Sequence, residues 1–396
     1  MMTLVYQTDI FKPNVFFWKM FGIWADRKSS KTYKYYSFVF LFITLIMYNS
    51  LLAINLLYTP LKIELLIREV IFCFTEITVT TKVLMILFKR NKILDAFDLL
   101  NKNEFRGNSE ESSAIIQKNN SAYKTYWKLY AILSNFAYSS QVLGPLIVKL
   151  IWKTKLELPI CNYYFLNEEL RHDFFSGWYI YQSFGMYGHM MYNVNIDTFI
   201  SGLLMMAVTQ LKIIQTKLLS LKLNPRERKM DRGLMNITEV LKLNEILKHY
   251  ELVLKYCSTV QSILDVAMFV QFGVASAIIC VAMCGLIMVR SSTETLLFMV
   301  TYLFAMTLQI FVPAWMGTQL HFQSQELVFA AYNSEWIPRC QSFKRSIIIF
   351  VERAKIPITI TGLKMFPLSL ATFTSIMKTA YSFFTLIRNM QTLQEE

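Results

Sequence analysis

Long runs of uncharged, apolar side chains are the feature that most limits what this chain can fold into. The run from Tyr36 to Tyr58 contains no charged residue, and about 20 such residues are enough for a helix to cross a bilayer. Only 17% of the whole chain is charged, against roughly a quarter in soluble domains. The sequence therefore predicts an all-α, polytopic membrane protein. Its seven transmembrane helices are predicted at residues 36–58, 65–88, 127–151, 177–211, 263–289, 295–318 and 365–390.

The positions of the basic residues predict how these helices are oriented. Most of the 40 Lys and Arg residues lie in the N-terminal segment and in the loops after spans 2, 4 and 6. Basic residues concentrate in cytoplasmic loops, so we predict an inverted topology, with the N-terminus in the cytoplasm and the C-terminus outside. The net charge of +13 then reflects the inner membrane face rather than a nucleic-acid partner.

Helical periodicity also continues outside the predicted spans. Apolar residues recur at helical spacing on both sides of a basic turn at Pro225–Gly233, which predicts that spans 4 and 5 project from the bilayer as long helices. The aromatic stretch Pro13–Trp24 predicts an amphipathic helix. Two placements remain open for it, at the membrane interface or packed on cytosolic parts of the same protein.

These patterns divide the chain into successive segments. In order they are a cytosolic N-terminal segment with the amphipathic interfacial helix at 1–35, transmembrane helices 1 to 4 at 36–211, a cytosolic helical extension at 212–262, transmembrane helices 5 and 6 at 263–318, further cytosolic helices at 319–364, the last transmembrane helix at 365–390 and an extracellular tail at 391–396.

The sequence lacks motifs for catalysis or metal binding. Its six cysteines are scattered and form no CxxC pair, so neither a disulfide framework nor a metal site is expected. Its four histidines are far apart, and no phosphate-binding glycine loop or hydrolase signature occurs. We therefore expect no cofactor, and an enzyme is the least favoured class of function.

Polar residues lie within the predicted spans, where a charge is costly, among them Lys82 in span 2 and Asn193 in span 4. We interpret Glu76 in span 2 as a hydrogen-bond partner for another helix. Asn195 and Asp197 in span 4 are interpreted as a polar brace between helices. No inverted repeat accompanies them, so a transporter has little support.

The last span carries a polar stripe on one face. Small or polar residues recur there at steps of three or four, which places them along one side of a helix. On this pattern alone, a packing seam between membrane helices is favoured over a wall of a water-filled path. The stripe consists of Ser369, Thr372, Ser375, Thr379, Ser382, Leu386 and Asn389.

Two C-terminal segments carry a specific family resemblance. PAWMGTQLHFQSQELVFAAYNSEW at 313–336 and RSIIIFVERAKIPITITGLKMFPLSLATFTSIMKTAYSFFTL at 345–386 closely resemble the insect odorant receptor family. The likeness extends more loosely to Leu158–Pro159, to Tyr181–Gln182 and to Asp197. One departure is ITGLK at 360–364, where the family more often has a small residue and glycine before the lysine.

The resemblance implies a function in olfaction. Members of the family are ligand-gated, nonselective cation channels that assemble as tetramers, and a tuning subunit pairs with a shared co-receptor. A volatile odorant binds within one subunit, in the outer half of the bundle. The last helix lines the pore, and the cytosolic ends of spans 4 to 7 form the anchor between subunits. The implied location is the plasma membrane of olfactory sensory neuron dendrites.

The family pattern also suggests site residues. Leu386 matches a hydrophobic gate, and Asn389 a polar constriction one turn further out. The implied pore-lining residues are Thr372, Ser375, Thr379, Ser382, Leu386 and Asn389. Aromatic and Met side chains in the middle and outer bundle suit a small apolar ligand, and the proposed ligand-binding residues are Phe72, Tyr138, Met186, Met190, Phe298 and Tyr302.

Other classes of function remain open at this point. A gustatory-receptor-like channel is a near alternative, although the aromatic-aliphatic-Gln-Phe ending of that family is missing. A seven-helix receptor that signals through G proteins is a second, but the predicted inverted topology would present the wrong loops. A structural or transporter-like membrane protein without a pore is a third.

Overall fold

The computed structural model describes residues 7–25, 30–107, 109–152, 156–221, 232–288 and 293–395. Within these ranges the chain is helical apart from short connections and one two-stranded sheet. The helices are α1 (Lys12–Met20), α2 (Lys31–Leu41), α3 (Tyr48–Tyr58), α4 (Ile63–Phe88), α5 (Arg90–Leu100), α6 (Glu110–Trp152), α7 (Glu168–Asp173), α8 (Phe175–Leu219), α9 (Arg232–Met288), α10 (Thr293–Tyr332), α11 (Gln341–Ala354) and α12 (Leu370–Glu395), with strands β1 (Thr361–Gly362) and β2 (Phe366–Pro367).

The predicted all-α, polytopic fold is confirmed. Six helical stretches among the described residues are long and apolar enough to cross a membrane. They correspond to the first six predicted spans. The seventh, α12, is a helix of 26 residues but is not among the six, because its hydroxyl groups make it less apolar. The six stretches are Lys31–Tyr58, Leu65–Phe88, Glu110–Ile151, Phe175–Leu219, Ile237–Leu286 and Met299–Tyr332.

Several helices are much longer than a bilayer is thick, as predicted for spans 4 and 5. Helix α9 has 57 residues and is therefore about 85 Å long at 1.5 Å per residue, against a hydrocarbon core of about 30 Å. Helix α8 has 45 residues. The turn predicted at Pro225–Gly233 lies almost wholly outside the described residues.

Helix α8 forms the centre of the bundle and contacts α1, α4, α6, α9 and α10. In its most apolar stretch, 94% of the residues are buried. A helix that is apolar on all sides is stable only when it is surrounded by other helices. The remaining long helices therefore pack around α8.

Helix α1 packs on α8 through one face. The Asn14 side chain donates to the Asn195 carbonyl at 2.7 Å and to the Thr198 hydroxyl at 2.9 Å. On the opposite face Phe16 and Met20 are exposed. The predicted amphipathic stretch thus forms a helix. One face packs on the protein, and the opposite, apolar face is left uncovered by this chain.

The segment before α12 forms a β-hairpin, which corrects the predicted start of the last span. Strands β1 and β2 pair antiparallel around Leu363 and Lys364, whose φ angles are 46° and 58°. Pro367 ends the second strand, and the helix begins only at Leu370 rather than at Met365. At its other end α12 continues to Glu395, through most of the predicted tail.

The hairpin and the start of α12 are held by α10 at two points. The Thr318 hydroxyl accepts from the Leu370 amide at 2.9 Å, and the Ser324 hydroxyl accepts from the Ile358 amide at 3.0 Å. Gly317 permits this close packing, since a Cβ there would overlap the Leu368 carbonyl. The connection into the last helix is therefore fixed to the helix before it.

Candidate functional site

A second hydrophobic cluster, separate from the main core, lies between α3, α4, α6 and α8. We call it the aromatic cluster. Aromatic rings of Tyr48, Phe72, Tyr163 and Tyr179 are buried in it. The segment from Leu156 to Leu166, which joins α6 to α7, closes it on one side. Its buried members are Tyr48, Leu52, Phe72, Val142, Leu158, Ile160, Cys161, Tyr163 and Tyr179.

The structure brings four of the six proposed ligand-binding residues to this cluster. Phe72 is one of its buried members, and Tyr138, Met186 and Tyr302 are partly buried against it. Met190 instead packs against the main core. Phe298 lies on α10, but its side chain is outside the described part of the structure.

Direct contacts join these side chains across the helices. The rings of Phe72 and Tyr302 meet edge to face with centroids 6.1 Å apart, and the Tyr302 hydroxyl is hydrogen-bonded to Thr75. Tyr138 donates to the Ser183 carbonyl at 3.1 Å. Aromatic contacts thus connect α4 with α10, and a hydrogen bond connects α6 with α8, within the same cluster.

Sequence reasoning missed the part of the cluster that the α6–α7 connection contributes. Gln182 on α8 accepts from the Ile160 amide at 3.0 Å and donates to the Cys161 carbonyl at 2.8 Å. Gln141 on α6 donates to the Pro159 carbonyl at 3.0 Å. Pro159 and Gln182 belong to the looser part of the family resemblance, and both take part in these hydrogen bonds. These two residues were the sequence signal that could have located the segment covering the cluster.

A polar dyad lies at one end of the cluster. Glu76, for which the sequence predicted a hydrogen-bond partner on another helix, is hydrogen-bonded to His189 on α8. The other nitrogen of His189 faces the Thr44 carbonyl at 2.5 Å. Thr44 belongs to a π-helical segment, Phe42–Met47, and such segments turn backbone groups away from their regular partners. The dyad therefore joins three helical segments beside Tyr48.

The predicted polar brace at Asp197 is confirmed, with Lys82 as its main partner. Their charged groups are 2.6 Å apart, and the side chains are 0% (Lys82) and 8% (Asp197) exposed. Gln309 on α10 donates to Asp197 at 3.0 Å, and Tyr130 on α6 donates to it at 3.3 Å. One carboxylate thus connects four helices in the middle of the bundle.

The polar stripe of α12 faces away from its own chain from Ser375 onward, whereas Ser369 and Thr372 are half-buried near the start of the helix. Ser375, Thr379, Ser382 and Asn389 are exposed, and Leu386 is 55% exposed. The Thr379 and Ser382 hydroxyls donate to carbonyls one turn earlier, at 2.9 and 3.0 Å. Their oxygens therefore remain as acceptors on the uncovered face. The stripe is not a packing seam within this subunit.

A hydrogen-bonded relay joins α8 and α9 at the end predicted to be cytoplasmic. Lys217 donates to Nδ1 of His249 at 3.3 Å, and Nε2 of His249 donates to Gln210 at 2.9 Å. Gln210 in turn donates to Gln7 at 2.9 Å. A lysine only donates, so this geometry requires neutral His249 with its proton on Nε2.

The long helices around a buried aromatic cluster define a polytopic, all-α membrane protein. The sequence model of the 7tm odorant receptor family matches residues 62–381. The chain therefore belongs to the insect odorant receptor family, as the C-terminal resemblance predicted.

Relatives of known sequence agree with this assignment. Odorant receptor 2a of Drosophila melanogaster is 25% identical over 388 residues, covering 93% of this chain and 94% of that protein. Odorant receptor 59a of the same species is 26% identical over 219 residues. That second match covers 53% of this chain and spans only 55% of the relative.

Solved structures show the same fold. The insect olfactory receptor OR5 from Machilis hrabei in complex with eugenol superposes with a TM-score of 0.82 at 19% identity. The match covers 97% of this chain and 98% of that one. A second structure of the same receptor gives a TM-score of 0.81 over 95% of this chain and 96% of that one, also at 19% identity.

Proposed function

We propose that this chain is the odorant-binding subunit of a ligand-gated, nonselective cation channel. A small volatile binds in the aromatic cluster and opens a pore lined by α12. The subunit works in a tetramer with the odorant receptor co-receptor, in the plasma membrane of olfactory sensory neuron dendrites. Its N-terminus is cytoplasmic, and its C-terminus is extracellular.

The uncovered polar stripe of α12 is the observation that carries this proposal. Hydroxyl and amide groups in a membrane helix favour protein or water over lipid. This chain leaves Ser375, Thr379, Ser382 and Asn389 exposed, so other subunits or water must face them. Hydroxyl oxygens that already donate to the helix backbone present acceptors outward, and acceptors suit the passage of a cation. Leu386 then forms an apolar ring that closes the pore by dewetting.

Exposed apolar side chains on α10, α11 and their connections support assembly into a tetramer. On the proposed topology these residues lie outside the membrane, where so much uncovered apolar surface normally marks a protein interface. They occupy the predicted anchor segment, 319–364, which a buried ion pair between Arg339 and Glu239 joins to α9. The exposed set is Phe322, Phe329, Tyr332, Ile337, Ile348, Ile349 and Ile356.

The chemistry of the aromatic cluster supports a small organic ligand. Pockets for such ligands are lined mainly by apolar and aromatic side chains with a few polar groups, and this description fits the cluster. The Machilis hrabei receptor, which has a related fold, is in complex with the small organic molecule eugenol, and this supports a ligand of that size here. A gustatory-receptor-like channel would share the pore argument and differ in the ligand.

Recording from excised patches tests the channel function. The chain is co-expressed with the co-receptor, and volatiles are applied to inside-out patches without GTP. Rapid inward current that reverses near 0 mV is expected, since the pore is nonselective for cations. A strict requirement for GTP would instead indicate a receptor coupled to G proteins and would contradict the proposal.

A further inference from the structure

Tyr48 places an unpaired hydroxyl inside the aromatic cluster. Its side chain is 1% exposed, and among the described residues its hydroxyl oxygen has no hydrogen-bond partner. Buried polar groups are normally paired. Other tyrosines of the cluster follow that rule, since Tyr179 donates to the Val142 carbonyl and Tyr138 donates to the Ser183 carbonyl. Tyr48 is therefore an exception among its neighbours.

Packing, rather than hydrogen bonding, holds the Tyr48 ring in place. The ring lies so close to Gly185 on α8 that a Cβ at that position would overlap it. Its centroid is 4.7 Å from that of His189 and 6.1 Å from that of Tyr181. Packing against Gly185 and against the rings of His189 and Tyr181 thus sets the direction of the hydroxyl. The O–H can therefore donate to another partner.

A second unpaired donor occurs in the same cluster. Trp178 is partly buried against it, and the indole Nε1 has no partner among the described residues. Its ring meets that of Tyr163 edge to face with centroids 5.4 Å apart. An indole N–H can only donate. The two unpaired groups have one complement in common, a hydrogen-bond acceptor.

We propose that the volatile recognised by this chain carries an uncharged oxygen acceptor, such as the carbonyl of a ketone, aldehyde or ester, and that Tyr48 donates to it. The proposal rests on the proposed function and names the ligand class of the same cluster. A ligand without an acceptor fills the aromatic lining equally well but leaves the Tyr48 hydroxyl unpaired, and an unmade buried hydrogen bond weakens binding. Tyr48 is therefore the specificity-determining residue for the polar end of the ligand.

Carbonyl compounds and alkenes of the same skeleton test this directly. The panel consists of pairs in which C=O is replaced by C=CH₂, such as acetophenone with α-methylstyrene and 2-heptanone with 2-methyl-1-heptene. Currents are recorded from the chain co-expressed with the co-receptor. Each ketone is expected to have a half-maximal concentration at least about tenfold below that of its alkene, as one buried hydrogen bond implies.

Two tyrosine variants separate the Tyr48 hydroxyl from general packing. In Tyr48→Phe the alkene-to-ketone ratio of half-maximal concentrations is expected to fall to about one, because the ring remains and only the donor is lost. In the matched control Tyr179→Phe, the lost hydroxyl already has a partner in Val142. That variant is expected to change both members of a pair by the same factor and so to keep the ratio.

The outcomes distinguish this inference from the proposed function. Equal responses of the wild type to ketones and alkenes overturn the role of an acceptor, whatever the variants do. A ratio that survives in Tyr48→Phe overturns the role of Tyr48. Absence of evoked current for every pair and for the other volatiles of the channel test, with the complex labelled at the cell surface, counts against odorant-gated conduction itself.

Discussion

Gln261 on α9 pairs with both backbone polar groups of Thr361. Its amide nitrogen donates to the Thr361 carbonyl at 2.9 Å, and its oxygen accepts from the Thr361 amide at 2.8 Å. The Gln261 side chain therefore pairs with strand β1 as the backbone of a neighbouring strand would, on the hairpin that leads into α12. The ring of Phe366, on the hairpin, stacks on the ring of Phe269 on α9. We expect movement of α9 to be transmitted to α12, the proposed pore helix, through this junction.

Replacing Gln261 should weaken that coupling. In Gln261→Leu both backbone groups of Thr361 lose their partner, which costs about 1 kcal/mol or more for each. We expect the half-maximal odorant concentration to rise about tenfold and the maximal current to fall at equal surface expression. Concentration–response curves of the co-expressed channel provide the measurement. An unchanged curve would show that α9 does not act through the hairpin.

Substitution of Leu386 by a small polar residue should open the proposed gate. Leu386→Ser removes the apolar surface that excludes water from the pore, so basal current without odorant should increase several-fold. The control is Ile387→Ser, since the next residue lies about 100° round the helix. Similar basal currents in both variants would contradict a gate at Leu386, because the effect would then not depend on the stripe.

The ion pair between Lys82 and Asp197 should be more important for folding than its net energy suggests. Asp197→Asn leaves a fully buried lysine without its counter-ion, and losing one partner of a buried pair costs about 3–5 kcal/mol. We expect little folded protein on fluorescence-detected size exclusion.

A double variant provides the matched control for this pair. Lys82→Met combined with Asp197→Leu removes both charges, and such replacements are often neutral. The double variant should recover most of the folded fraction. It does not restore the hydrogen bonds that Gln309 and Tyr130 donate to Asp197, so recovery should be incomplete. A double variant as poorly folded as Asp197→Asn would show that these bonds, rather than the ion pair, hold the helices together.

Acidification should destabilise the protein through His249, which precedes the predicted fifth span. Burial, with Lys217 nearby, lowers the pKa of His249 to about 3, although Glu104 opposes this shift. The unfolded value is about 6.5, so below that pH the unfolded chain binds a proton that the native state excludes. Stability should fall by about 1 kcal/mol between pH 7.5 and 5.5.

Comparison with His249→Gln isolates this contribution. Thermal unfolding at pH 7.5 and 5.5 measures the shift in stability on acidification for the purified wild type and for the variant. The three other histidines are the same in both proteins, so they contribute equally to that shift. The shift should be smaller in the variant. If both proteins lose the same stability on acidification, His249 is not the group responsible.

The hairpin turn can be improved by residues that tolerate positive φ. Leu363 and Lys364 both adopt φ near +50°, which suits Asn-Gly better than branched or long side chains. Leu363→Asn with Lys364→Gly should stabilise the hairpin by about 1 kcal/mol. Hydrogen exchange of the Leu368 amide, which donates to Ile360 at 2.8 Å, should slow about fivefold. Leu363→Ala is the control. Alanine tolerates a positive φ no better than leucine does, so the exchange rate of the Leu368 amide should stay nearly unchanged.

The membrane class, the helical spans and the family follow from local patterns. Apolar runs and helical periodicity are properties of neighbouring residues, so each of the six apolar spans appears as a helix close to its predicted place. The polar stripe of α12 was equally visible, because its members are separated by single helical turns. Where α12 begins was not visible, since strand pairing between Thr361 and Pro367 replaces the first turn of the predicted helix.

The partners of the buried polar groups required the folded chain. Lys82 and Asp197, Glu76 and His189, and Gln182 and Cys161 come from different helices or loops, and no local period relates their positions. Helix α8 brings them together because it is apolar on all sides and must be enclosed. The unpaired hydroxyl of Tyr48 follows from the same packing. A residue without a special sequence signal becomes distinctive only when Gly185 and His189 enclose its ring and offer its hydroxyl no acceptor.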